Sequence, residues 1–551
     1  MRDTTHVIYL HARLRTLELT SPGGARFSST LCHDARLPTL LMTTSHARHP
    51  GVPASRASRL LPPDIVPLVL AHLSWRVRDL GACCLVNTLW RRYATPYLYE
   101  RIWLRDQKRL LLVFRTLAEC PHLARYVRIM EIRVYPFGLP AEKLEDVEAS
   151  IVQALHHAVN LVELCWTRAG SLNDRVLMTI FDNMRCMRKL ELSGSGQMSS
   201  QMWEPKLLVS HLPRTVETLS LIMPSREVVN ELVHIAKHLD NCLFSLQLLC
   251  MNSAVVTDGL LCDLAPHVPR LSRLSLVGCK RVHGPGVRAL VNKPIRDLSL
   301  ESVALDVGVL ATLAPDVVHL RRLTLTPPRH VRDMKSFYDE ASVLIDACNA
   351  LECLTLYARG GSKPVVGHDL GSTGDTSRLG EDQADLDVHV NHEVQPPSSQ
   401  QQLTPSSPYI STLYMARLCA SSSAHSLKTL RIQGLGMSLD TLSMLAQSPL
   451  KHVLRDLDIH LCEDNVPKLI ACIASFERLE SLHIFSDLQS HAQLSDGDIL
   501  RIAREAGGEW FCQIGFQNRV WHVRSTRQGR ELIPWDKSAG TFPQSMLVVR
   551  S

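Results

Sequence analysis

One phrase of apolar and polar positions recurs along this chain: Leu-x-x-Leu-x-Leu. It reads LVELCW from Leu161, MRKLEL from Met187, VETLSL from Val216, LFSLQL from Leu243, LSRLSL from Leu271, IRDLSL from Ile295, LRRLTL from Leu320 and LECLTL from Leu351. After a gap it returns as LKTLRI from Leu427, LRDLDI from Leu454 and LESLHI from Leu479, and a degenerate earlier copy, VRIMEI, begins at Val127. The starts from Leu161 to Leu351 are 26, 29, 27, 28, 24, 25 and 31 residues apart. The closing Leu-x-Leu predicts a short strand whose alternate side chains point inward. The intervening stretches carry helical spacing, as in TDGLLCDLAPHVPRL at residues 257–271, with Asp258 near the predicted helix start and Pro266 near its end.

That period is the period of leucine-rich repeats. A single repeat cannot bury its own apolar face, so neighbours must stack. The predicted fold is therefore an α/β solenoid, with parallel strands on a concave face and helices on a convex one. Burial of each inward leucine contributes roughly 1.5–3 kcal/mol. The array is expected to span residues 120–525. Residues 360–408, rich in Gly, Ser, Pro, Gln and acidic side chains, cannot bury a core and read as a disordered insertion. Residues 510–525 (WFCQIGFQNRVWHVRS) alternate like one or two strands and are expected to cap the last repeat, leaving 526–551 as a tail.

Upstream of the repeats, residues 60–104 have a different period. Ile65, Leu68, Val69 and Leu73 recur at three-to-four spacing, and Asp79, Leu80, Cys83, Cys84, Val86, Asn87 and Trp90 continue into a second and third short helix. Pro62-Pro63-Asp64 reads as a helix start, and Pro67 predicts a kink or a late start. Residues 1–59 hold eight arginines, no lysine and only Asp3, Glu18 and Asp34 as acids. They read as a disordered tail with a faint compositional likeness to a transit peptide. Within it RLRTLEL, at residues 13–19, copies the repeat phrase.

Composition narrows the function classes. A net charge of +6 over 551 residues, without a sustained Lys/Arg block, does not argue for nucleic acid. No run of about 18 apolar residues predicts a membrane span, and no compact apolar segment at the N-terminus predicts a secretory leader. The 16 cysteines are scattered through apolar segments without a CxxC pair, which reads as reduced, buried thiols of the cytoplasm or nucleus rather than a metal site. HVNHE at residues 389–393 lies in the polar insertion, with no apolar helix to hold two ligands, and the adjacent His156 and His157 point apart on a helix. No nucleophile elbow, phosphate loop or Cys/His pairing is present, so neither enzymatic chemistry nor a cofactor is expected.

The residues flanking the inward leucines are expected to face solvent on the concave side. They include Arg273 and Ser275, Asp297 and Ser299, Arg322 and Thr324, Thr355 and Tyr357, Thr429 and Arg431, Asp456, Asp458 and His460, then His483 and Phe485. Of these, Arg273, Arg322, Tyr357, Arg431, Asp456, Asp458, His460, His483 and Phe485 are the candidate partner-binding residues.

The 60–94 cluster resembles an F-box. Leu61-Pro62, Asp64-Ile65, Val69-Leu70, Leu73, Asp79-Leu80, Leu85-Val86-Asn87 and Trp90 fall in that family's order. The stretch TDGLLCDLAPHVPRLSRLSLVGCKRV, at residues 257–282, resembles the cysteine-containing repeat subtype, with Cys279 at the cysteine position. Together the chain resembles the F-box/leucine-rich-repeat proteins, most similarly the large fungal sets. The resemblance implies a three-helix F-box followed by the repeat solenoid. It implies that the F-box docks on the Skp-type adaptor of an SCF ubiquitin ligase, with cullin and RING subunits reached through it. A substrate protein would then lie on the repeats. Carried over by position, Leu61, Pro62, Ile65, Leu85, Val86 and Trp90 would form the docking surface. Pro67 and the basic WRVRD segment at residues 75–79 depart from the family pattern. The alternative is a leucine-rich scaffold without ligase association, in which the helical cluster is only an N-terminal cap. Such a cap would pack its whole apolar face on the first repeat.

Overall fold

Alternation of leucines with polar residues produces strands here, and the strands pair in chain order. The computed structural model describes residues 62–73, 76–194, 203–250, 254–328, 331–358, 409–463, 465–486, 494–505, 508–527 and 529–535. The chain divides into two units, one ending at Leu271 and the other spanning Ser272–Trp535. Leu61, the 13–19 segment and the 389–393 histidines lie outside the described residues.

The first unit begins with three helices, Ile65–Ala71, Val77–Cys84 and Thr88–Glu100. Pro67 falls in the first turn of its helix, where a missing N–H has no partner to lose, so the late start resolves the conflict. The third helix is capped by Asn87, whose side chain accepts from the Trp90 N–H at 2.9 Å. Val66, Leu70, Leu80, Cys84, Ala94, Leu98 and Tyr99 are the buried apolar residues of the three helices. Six parallel strands follow: β1 (Arg101–Leu104), β2 (Ile129–Ile132), β3 (Glu163–Trp166), β4 (Lys189–Ser193), β5 (Thr218–Ile222) and β6 (Ser245–Leu249). The sheet thus starts at residue 101 rather than 120, because RIWL alternates and pairs in register with IMEI.

The second unit carries β7 (Arg273–Val277), β8 (Asp297–Glu301), β9 (Arg322–Leu325), β10 (Cys353–Tyr357), β11 (Thr429–Met437), β12 (Asp456–Leu461), β13 (Ser481–Ser486) and β14 (Gln513–Phe516), all parallel. An antiparallel pair, β15 (Arg519–Thr526) and β16 (Gly529–Pro534), closes the described chain. The capping strands therefore run past residue 525 into the stretch expected to be a tail. Register stacks Leu274, Leu298, Leu323, Leu354, Leu430, Leu457, Leu482 and Ile514 into one column, each with at most 1% of its surface exposed.

A backbone ladder fixes that register. At each strand entry one carbonyl accepts two consecutive N–H groups from the next repeat: Arg296 O takes those of Arg321 and Arg322, and Lys428 O takes those of Arg455 and Asp456. The helices between strands are short and capped as their sequences predict. Thr257 caps Asp258–Leu264, and the Pro266 segment then tightens into a 3-10 turn. The long β11 absorbs the insertion. Ala358 donates its N–H to Gln433 O and Ile410 donates to Gly436 O, so both stems of the 359–408 segment attach to this strand. Register shifts between Arg431 and Gly436, and Gly434 takes φ +67° there, where a Cβ would stand 2.5 Å from Ala358 O.

Candidate functional site

Parallel pairing sorts the side chains opposite the leucine columns into rows. In the second unit the first row is Arg273, Asp297, Arg322, Cys353, Thr429, Asp456, Ser481 and Gln513. The next row is Ser275, Ser299, Thr324, Thr355, Arg431, Asp458, His483 and Gly515.

On β7–β9 the face is open. Asp297 lies between two guanidiniums: Arg273 Nε is 2.9 Å from its Oδ2, while Arg322 donates Nε to Oδ1 at 3.0 Å and Nη2 to Oδ2 at 2.8 Å. Both arginine side chains stay more than half exposed, at 52% and 56%. Bonding to Asp297 raises the Arg322 pKa further, so this charge is fixed at any working pH. Ser275, Ser299 and Thr324 beside them are half-buried.

From β10 onward the same face closes. Tyr357, Asp458, His460 and His483, expected to point to solvent, are buried. Tyr357, Asp458 and His483 each meet a polar partner from another strand or turn. The Tyr357 hydroxyl reaches back to donate to Glu301 on β8. Asp458 accepts from Gln433 Nε2 at 3.1 Å and lies 3.5 Å from Arg431 Nε, with Arg431 itself mostly buried. Burial raises the Asp458 pKa to about 7, against the pull of Arg431 and Gln433 in the other direction and the push of Asp456 in the same one. His483 Nε2 is 2.8 Å from Gln517 O and its ring stacks on Phe485 at 4.4 Å. Burial lowers its pKa to about 4, so the imidazole is neutral and donates through Nε2. Gly515 makes room for that ring, since a Cβ there would stand 2.2 Å from His483 Nδ1. Asp456 and Phe485 remain half-buried.

The structure also adds residues that sequence reasoning missed. Glu301, Gln433, Gly515 and Gln517 are the partners just described. In the first unit the corresponding row is Trp103, Glu131, Cys165, Glu191, Ser220 and Gln247. There Arg101 pairs with Glu131, and Cys165 Sγ donates to Glu191 Oε1 at 3.0 Å. Burial and Glu191 together push that thiol pKa far up. Glu191 was legible as the x of Leu-x-Leu in MRKLEL. Among the described residues no group of His, Cys, Asp and Glu side chains is placed to hold a metal ion, and no helix is long and apolar enough to cross a membrane.

The helical module presents a different surface. Of the resemblance-derived positions, Pro62 is exposed, Ile65 is 40% exposed, Leu85 65% and Val86 53%, while Trp90 is half-buried. Leu68 and Val69 join them at 64% and 38%. Ile65, Leu68 and Val69 share one short helix, and Leu85-Val86 form the turn between the next two.

No family model matches the chain, and no curated protein matches it. Solved structures similar to it include the complex of Rad7 and Elc1 from yeast, at 13% identity and TM-score 0.41, covering 79% of this chain and 87% of that one. The leucine-rich-repeat protein LegL7 of Legionella pneumophila shows 13% identity and TM-score 0.35 over 65% of this chain and 94% of its own. An internalin of Listeria monocytogenes shows 13% identity and TM-score 0.28 over 66% and 78%. The repeat period, the parallel register and the buried leucine columns make both units leucine-rich-repeat stacks.

Proposed function

We propose that this chain is the substrate-recognition subunit of an SCF-type ubiquitin ligase. Its helical module docks a Skp-type adaptor, which brings the cullin and RING subunits, and its strand face holds the protein substrate. The chain itself is non-catalytic, takes no cofactor and works in the cytoplasm or nucleus.

The observation that carries this reading is the exposed apolar set on the module. Ile65, Leu68, Val69, Leu85 and Val86 are all left 38% or more exposed, although Val66, Leu70, Leu80 and Cys84 on the same segments are buried. A helical cap would bury both sets. Single exposed apolar residues are ordinary, but five on one short helix and one interhelical turn of the same three-helix module favour a partner. The identity of that partner comes from the F-box resemblance.

The test is co-purification of the intact chain with a Skp-type adaptor, beside a Leu85→Asp/Val86→Asp variant. Both positions are exposed, so thermal melts should match. Capture by the intact chain and loss in the variant is the expected result. A folded intact chain that captures no adaptor removes the ligase reading and leaves a leucine-rich scaffold.

A further inference from the structure

The helical module sets charge around its apolar surface that nothing else in the module uses. Arg78, Arg91 and Arg92 are exposed, and none of the three takes part in an ion pair among the described residues. Arg76 is different, because Asp79 holds it. The three arginines flank one feature. On the helix Val77–Cys84, Arg78, Ala82 and then Leu85 follow at four- and three-residue spacing and line one exposed face. On the helix Thr88–Glu100, the residues Thr88, Arg91 and Arg92 share the exposed face that runs on from the turn. Leu85-Val86 lies between the two faces. A rise of about 1.5 Å per residue sets Arg78 roughly 10 Å from Leu85 along the helix axis. Arg91 and Arg92 do not serve the helix that carries them. They lie near its positive end, where a cation gains nothing from the backbone dipoles, and no acid occupies its first turn. Nor do the acids of the module answer them: Asp64 precedes the first helix, Asp79 is taken by Arg76, and Glu100 ends the third helix. The rim of the apolar turn is therefore positive, with no counter-charge of its own.

We propose that the adaptor surface met by this module is acidic at its rim: carboxylates pair with Arg78, Arg91 and Arg92 around an apolar pocket that takes Leu85 and Val86. This rests on the adaptor reading above and adds what selects the partner. An apolar centre within a polar rim is ordinary interface anatomy. Rim charges set the rate of approach and exclude partners of the wrong sign more than they supply affinity. Basic charge in the WRVRD segment departs from the F-box pattern, and an acidic rim opposite it gives that departure a role. Two other occupants fit less well. A second copy would bring the same arginines face to face, like charge on like. An anionic membrane also attracts basic, apolar surfaces, but here the apolar residues are split between a seven-residue helix and a turn rather than laid along one amphipathic helix.

The test measures the affinity of the full-length chain for a recombinant Skp-type adaptor by biolayer interferometry, from about 50 to about 500 mM NaCl. The parent should weaken by about tenfold across that range, chiefly through slower association. Arg78→Gln/Arg91→Gln/Arg92→Gln should bind about tenfold more weakly at the low end, meet the parent at the high end and show a nearly flat salt dependence. Arg78→Lys/Arg91→Lys/Arg92→Lys keeps the charges and should keep the slope. All three positions are exposed, so thermal melts should match. Adaptor binding that salt does not change, a glutamine variant as steep as the parent, or a lysine variant that has lost the slope overturns the acidic rim and leaves adaptor docking standing. A folded parent that binds no adaptor at any salt overturns both. Two controls cover the other occupants: vesicles of equimolar phosphatidylcholine and phosphatidylserine, and light scattering of the chain alone. Sedimentation with the vesicles, or a dimer, that is lost in the glutamine variant assigns the arginines elsewhere and overturns the proposal.

Discussion

Arg322 and Arg431 occupy the same face of the second unit, each beside an aspartate on an adjacent strand, and they live in opposite environments. Arg322 meets Asp297 through two short bonds while 56% exposed. Arg431 approaches Asp458 through one contact of 3.5 Å with both side chains almost out of solvent. The better geometry is where water already screens the charges, and the poorer one is where the low dielectric makes every ångström matter. The open pair is therefore a solvated surface feature. The closed pair belongs to the architecture, and its energetics should show in stability rather than in binding.

The sharpest break in that comparison is to remove one partner of the closed pair. Arg431→Ala leaves Asp458 buried without its counter-charge, and it should cost about 3–5 kcal/mol in unfolding free energy at pH 8. Arg431→Met combined with Asp458→Leu should recover most of that loss, because apolar groups need no compensation there. Urea melts of the three proteins decide it. A double variant as unstable as the single one would mean that the cluster holds the strands by more than charge balance.

A second test concerns the steric side of closure. Gly515→Ala pushes a methyl group into the His483 ring, which stacks on Phe485. The expected loss is roughly 1–3 kcal/mol, the usual cost of overpacking. An unchanged melt would show that the ring moves freely and that the face is looser than its burial suggests.

Protonation gives a third, with signs that oppose. Asp458 titrates near 7 in the folded chain, above its unfolded value, so its contribution to stability is full at low pH and is lost as pH rises through 7. His483 titrates near 4, below its unfolded value, so its contribution is full at neutral pH and is lost as pH falls through 4. Between these limits the two slopes offset one another. Asp458→Asn should therefore gain stability relative to the parent as pH is raised from 4.5 to 7.5, by about 3 kcal/mol. His483→Gln should gain relative to the parent as pH falls over the same range. A difference that does not vary with pH in either variant would place Asp458 and His483 at their ordinary pKa values.

The sheet was legible because its signal is local. Leu271, Leu274 and Leu276 lie within six residues, and the same spacing recurs at most of the parallel strands. The opening and closing of the strand face was not legible, since it depends on pairs far apart in sequence. Tyr357 finds Glu301 across 56 residues, and His483 finds Gln517 across 34. Leu-x-Leu states that x faces away from the leucine column. It does not state what the next strand puts beside it. The helical module was half legible: helical spacing marked Ile65, Leu68 and Val69 as one apolar face and the F-box resemblance marked Ile65 and Leu85 for docking, while Leu68 and Val69 joined the docking candidates only once their exposure was known.

The smallest expected effect is the one that separates the two regions most cleanly. Arg322→Ala breaks a bidentate pair, which on geometry alone would rank above the Arg431 contact. Because both partners are partly solvated and Arg273 still covers Asp297, the stability change should stay below about 1 kcal/mol and shrink further in 0.5 M salt. The variant should melt like the parent. If it were destabilised as strongly as Arg431→Ala, the arginine pair on β7–β9 would be holding the sheet together, and the distinction between an open stretch and a closed structural one would fail.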